Sequence, residues 1–174
     1  MKKTPVALSL ILLAALAAAA QAPAGWAKFT SPGSEFSVMM PAVPEKQTNT
    51  ADSPNGPYTT YLFTARGNRE IYLVGWVDYD PKFNFDVQAE LAANRDKFIA
   101  NLKAKLLGTT PIKLGAHPGI EFKAEVAQPA FDIVSRVYIV GRRPYQIIAI
   151  TAAGQDSSKN VELFFSSFQV PAPK

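Results

Sequence analysis

The chain has 174 residues, 48% hydrophobic and 18% charged, a balance that suits one folded domain with its own core and excludes a disordered tail. With no cysteine and one histidine, it excludes a disulfide framework, a lipid-anchoring thiol, zinc sites of the Cys and His type and Cys–His catalysis. Lys and Arg number 18 against 14 Asp and Glu, too even a split for the concentrated basic face that nucleic acid requires.

The chain opens on a secretory pattern. Lys2 and Lys3 precede an apolar run from Val6 to Ala20 that only Ser9 interrupts, and Ala18, Ala19 and Ala20 supply small residues at its end. The run falls short of the roughly 20 residues a spanning helix needs, which argues against an uncleaved anchor. Residues 1–20 are therefore expected to be a signal peptide cut after Ala20; a cut after Ala22 also fits the small-residue pattern, but Pro23 follows it. Cleavage removes Lys2 and Lys3, leaving 16 basic residues against 14 acidic ones, a charge of +2. The remainder, 21–174, is expected to be a single, monomeric globular domain with its core over about 26–170, exported to the periplasm or beyond and without a membrane anchor.

Residues 21–34, with Pro23, Gly25, Pro32 and Gly33, read as an irregular opening segment in which Trp26 and Phe29 tuck against the body. Phe36–Met40 reads as a short strand stopped by Pro41 and Pro44, and the polar stretch 45–57 as a loop or wide turn. Tyr58–Ala65 and Ile71–Tyr79 form a hairpin about Arg66, Gly67 and Asn68. The second strand is apolar on both faces and so should be covered on both sides. A long helix is predicted from Val87 to Leu107. Asp86 or Asn84 caps it, Glu90 complements the dipole in the first turn, and Gly108 takes the left-handed position past its end. Its apolar stripe is Val87, Leu91, Phe98, Leu102 and Leu106. Strands follow at Pro111–Leu114, Gly119–Ala127, Phe131–Val140 and Pro144–Thr151, the last two a hairpin about Gly141 and Arg142, and a short helix or tail closes the chain over 157–168. The order predicts an α+β fold: a mainly antiparallel twisted sheet with one long helix and a short C-terminal helix packed on it.

No Gly-rich phosphate loop and no Gly-x-Ser-x-Gly elbow occurs. His117, between Gly115 and Pro118-Gly119, sits in turn chemistry and is the one imidazole that could act as a base. Asp78 and Asp80, two apart on extended chain, share a side but supply too few oxygens for a Ca²⁺ or Mg²⁺ site. Trp76 is assigned to the core. No catalytic residue, metal or cofactor is assigned. Arg136, Tyr138, Arg142 and Arg143, with Tyr145 nearby, form the candidate partner-contact set. Arg and Tyr dominate interface hot spots, and guanidinium groups grip carboxylates and phosphates; the same residues also suit a solvated hairpin tip.

The segments SPGSEFSVMMPAVP from Ser31, GAHPGIEF from Gly115, RVYIVGRRPY from Arg136 and FFSSF from Phe164 resemble a group of small exported bacterial domains with the PsbP-like or DcrB-like fold. The resemblance covers about 26–170 and implies that fold and a non-enzymatic binding or assembly role. Unlike DcrB-type lipoproteins the chain has no lipidation cysteine, so no anchor carries over, and no metal or binding residue does. The leading expectation is an exported non-catalytic accessory or binding domain whose partner is an envelope protein or a small anionic ligand. The alternatives are a hydrolase using His117 with a carboxylate such as Asp78, and a small-ligand carrier with a pocket between sheet and helix.

Overall fold

The computed structural model describes residues 22–54 and 56–171; the expected signal segment and its cleavage point lie outside them. The element order is β1 (Ala27–Thr30), β2 (Ser37–Met40), β3 (Glu45–Ala51), β4 (Tyr58–Arg66), β5 (Glu70–Tyr79), α1 (Val87–Leu102), β6 (Lys105–Leu114), β7 (His117–Ala127), β8 (Ala130–Val140), β9 (Arg143–Ala152) and α2 (Ser158–Ser167). Seven strands form one antiparallel sheet in the order β3-β4-β5-β9-β8-β7-β6, and β1-β2 form a separate two-stranded hairpin. This is the α+β architecture that the chain order predicts. Among the described residues no helix is long and apolar enough to cross a membrane.

Alternation along the strands divides the interior in two. On one face Tyr72, Val74 and Trp76 of β5 and Tyr145, Ile147 and Ala149 of β9 meet the β1–β2 hairpin and α2, burying Phe36, Val38, Met40, Phe164, Phe165 and Phe168. On the other, Phe122, Val137 and Ile139 meet Leu91 of α1, and Ala124, Ile133 and Ile148 extend that layer beneath Phe98 and Ile99. Trp26 packs edge-on to Tyr72 at 5.1 Å and Phe29 lies 5.5 Å from Phe63, so the opening segment does tuck against the body.

That opening segment is not irregular throughout, because β1 pairs with β2. Ser31 organises the connection. It is 2% exposed, its hydroxyl donates to Glu35 Oε2 at 2.6 Å and accepts from the Phe36 N–H, and its own N–H bonds the Phe36 carbonyl. The stretch read as a loop over 45–57 contains the edge strand β3. Its side chains are almost all solvated, so no apolar alternation marks it; ladder bonds to β4 and a Thr50–Thr59 hydroxyl contact of 2.9 Å hold it instead.

The long helix also ends earlier than its periodicity predicts. Asp86 caps it as expected, accepting from the Ala89 N–H at 2.7 Å. It stops at Leu102, where Lys103 takes the left-handed conformation (φ 51°) and the N–H groups of Lys103 and Ala104 return to the Ala100 and Ile99 carbonyls. Gly108 is not the cap but lies at a register irregularity in β6. Residues 105–107 pair with β7 as strand, and Leu102, Leu106 and Leu107 remain exposed.

Candidate functional site

The hairpin between β8 and β9 carries the three arginines, but the sheet sends them apart. Arg136 projects to the α2 face, where it bonds Glu121 at 2.8 Å and lies 4.5 Å from the Phe165 ring centre. Arg143 is on the same face over Trp76, bonded to Asp78 at 2.6 Å and to the Tyr145 hydroxyl at 3.4 Å. Burial opposes its charge, but Tyr145 and Asp78 outweigh that and hold its pKa above the ordinary value. Arg142 turns to the other side, donating to the carbonyls of Pro81 and Phe83 and covering Phe85. Tyr138 is 5% exposed and stacked on Phe168, and Tyr145 is buried beside Trp76. Tyr138 is thus a core ring, and the three guanidinium groups do not converge. Alternation separates Arg136 and Arg143 from Arg142, which sequence proximity alone conceals.

His117 begins β7, and Asp78 lies near the end of β5. Strands β8 and β9 intervene, three inter-strand spacings or about 14 Å. His117 borders a shallow depression of about 260 Å³ with Leu114 and Phe168, whose lining contains no carboxylate. Asp78 is committed to Arg143 and the Trp76 indole, while Asp80 closes a turn by accepting from the Lys82 N–H. The two carboxylates have separate local tasks, and no group of three or more metal-ligating side chains occurs among the described residues.

A wider concavity than the one beside His117 lies elsewhere, and strand β5 explains it. Tyr72, Val74 and Trp76 are buried beneath the hairpin and α2, but Leu73, Val77 and Tyr79 on the opposite face are only half-buried. Helix α1 packs over β7, β8 and β9 and leaves β4 and β5 largely uncovered. The two-sided cover expected for β5 is therefore complete on one face and partial on the other. Between α1 and this bare half of the sheet runs a cleft of about 610 Å³. Tyr58, Val77, Tyr79 and Gln146 floor it, Asp52, Ser53 and Pro54 rim it, and Phe83 closes one end.

The helical wall follows from spacing. Glu90, Asn94, Lys97 and Asn101 recur at intervals of four, three and four, which places them on one stripe beside the apolar stripe of Leu91 and Phe98. Glu90 is 8% exposed and accepts from the Tyr79 hydroxyl at 2.8 Å. Burial, then that bond to Glu90, push the Tyr79 phenol well above its ordinary pKa, so it stays a neutral donor. Tyr79 stacks on Phe83 at 4.4 Å, with Tyr58 at 6.3 Å. The lining is mixed: the rings of Tyr58, Tyr79 and Phe83 with Val77 and Phe98 face polar and charged side chains from Asp52, Glu90, Asn94, Lys97 and Gln146, groups that could orient a small polar molecule. From the sequence, Glu90 is legible only as a partner of the helix dipole. The polar stripe at helical spacing was the signal that could have found the rest.

No protein-family profile and no curated protein matches the chain. Among solved structures it is similar to cyanobacterial PsbP (CyanoP) from Synechocystis sp. PCC 6803, at TM-score 0.60 and 12% identity over 86% of this chain and 95% of that one. A Bacteroides thetaiotaomicron protein matches at TM-score 0.46 and 16% identity, over 83% of this chain and 48% of that one. A Pseudomonas aeruginosa protein of unknown function, PA94, matches at TM-score 0.42 and 10% identity, over 86% and 99%. The fold is PsbP-like, as the sequence motifs imply.

Proposed function

We propose that this chain is an exported, non-catalytic binding domain that holds a small ligand in the cleft between α1 and strands β4 and β5. The observation that carries the reading is the half-covered face of β5, where α1 leaves Val77 and Tyr79 open to a cleft walled by directed polar groups. Export rests on the charged and apolar pattern of residues 1–20. A hydrolytic role for His117 finds no support in the sheet order, which keeps it three strand spacings from Asp78. The PsbP-like fold is consistent with an accessory domain and does not choose its ligand.

The test is an amide-detected NMR screen of the purified protein against a set of small polar aromatic and amine fragments. Saturable shifts should gather at Tyr58, Val77, Tyr79, Asn94 and Lys97. The variant Asn94→Trp, which fills the cleft from the helix side, should abolish them. Shifts confined to the Gly141–Arg143 turn, or unaffected by the Trp, would overturn the reading in favour of a hairpin contact surface.

A further inference from the structure

We propose that the Glu90 end of the cleft recognises an organic ammonium group, an assignment that rests on the cleft reading above and names the ligand's chemical class. Glu90 is nearly buried, and its carboxylate accepts a neutral hydroxyl from Tyr79. Among the described residues no Lys, Arg or His nitrogen lies within ion-pair distance of it. Glu90 stands in the first turn of α1, where the helix dipole favours its charge, but no full positive charge pairs with it, so a cation at this end of the cleft would complete the site. The two carboxylate oxygens offer about four acceptor positions, and the Tyr79 bond occupies one.

The surroundings select the kind of cation. Tyr58, Tyr79 and Phe83 line the same cleft as Glu90, with Tyr79 in contact with both other rings. Aromatic faces attract diffuse organic cations, and a carboxylate adds the full charge. A metal ion instead requires several oxygen ligands, and no group of three or more His, Cys, Asp or Glu side chains placed to hold one occurs among the described residues. Neighbouring rings already hold a cation in this way: the Arg142 guanidinium lies 5.6 Å from the centre of Phe85, which itself packs against Phe83 and Tyr79. Lys97 cannot neutralise Glu90 through the helix, because seven residues place it about 10 Å further along the axis. The ammonium therefore belongs at the Glu90 end and the remainder of the ligand toward Asn94 and Lys97.

The experiment compares choline with 3,3-dimethyl-1-butanol, its uncharged carbon isostere, by amide shifts of the purified full chain. Choline should give saturable shifts at Tyr58, Tyr79 and Glu90, and the isostere should bind at least about tenfold more weakly. Glu90→Gln keeps the shape and an acceptor for Tyr79 but removes the charge, and should weaken choline about tenfold. Should that variant lose its dispersed spectrum, Tyr58→Leu, on the sheet floor away from the helix, carries the same test with a severalfold loss. Equal binding of the two probes, choline affinity unchanged in the folded variant, or no saturable choline shift overturns the assignment. Fragments that still bind the cleft in those cases leave the small-ligand reading standing and only the cation class refuted.

Discussion

Truncating the inner face of α1 should produce a graded series that separates the helix as observed from the helix that periodicity predicts. Leu91 is 4% exposed against Phe122, Val137 and Ile139. Leu91→Ala should therefore cost about 3–4 kcal/mol, in the range for a fully buried leucine. Phe98 is half-buried and meets Phe122 edge-on at 5.7 Å. A fully buried Phe→Ala costs about 3–5 kcal/mol. Half of that transfer and cavity loss, with part of an aromatic pair worth about 0.5–1.5 kcal/mol, gives about 2 kcal/mol for Phe98→Ala. Leu102 is 39% exposed at the helix end, so Leu102→Ala should cost under about 1 kcal/mol. Urea melts read these values from the midpoints at constant slope. A Leu102→Ala loss equal to that of Phe98→Ala would refute the early helix end, because it would require the apolar stripe to continue inward past Lys103.

Asp86→Ala removes the acceptor for the Ala89 N–H and should cost about 1 kcal/mol in the same melts, with Asp86→Asn recovering most of it. Glu35 should show a pH signature: burial raises its pKa, but the Ser31 hydroxyl and then backbone N–H groups and Arg143 outweigh it, and the net shift is downward. A depressed carboxyl stabilises the fold above the ordinary glutamate pKa of about 4.3 and loses that contribution as pH falls through its folded value. The stability gap between the wild type and Ser31→Ala should thus be larger at neutral pH than at about pH 3, the remainder reporting the lost Phe36 N–H bond; a gap that widens in acid would contradict the sign. N-terminal sequencing of the exported protein should begin at Gln21, and a mature form that begins at Met1 would remove the export reading.

Much of the sheet is legible before any coordinates, because two-residue alternation and turn chemistry are local. Tyr58–Ala65 against Ile71–Tyr79, and Phe131–Val140 against Pro144–Thr151, pair as their patterns require, and Asp86 announces its helix. Strand β3 escapes notice because an edge strand with solvated side chains has no apolar signal; its stability comes from a neighbour that only the fold supplies. The helix end escapes for a related reason. Leu106 continues the helical stripe, yet pairing with β7 competes for the same backbone and wins, at the expense of a left-handed Lys103.

The site divides the same way. Composition and motif alone establish a chain without thiol chemistry, with one imidazole and with the residue types of a PsbP-like domain. They also supply each element of the cleft: an apolar β5, the polar stripe from Glu90 to Asn101 and the aromatics Tyr58, Tyr79 and Phe83. Where α1 would lie on the sheet is set by which layer of side chains it buries best, and that is the Phe122, Val137 and Ile139 surface, away from β4 and β5. That tertiary choice opens the cleft and brings the Tyr79 hydroxyl to Glu90. It operates through packing between strands and helix, which no spacing along the chain encodes.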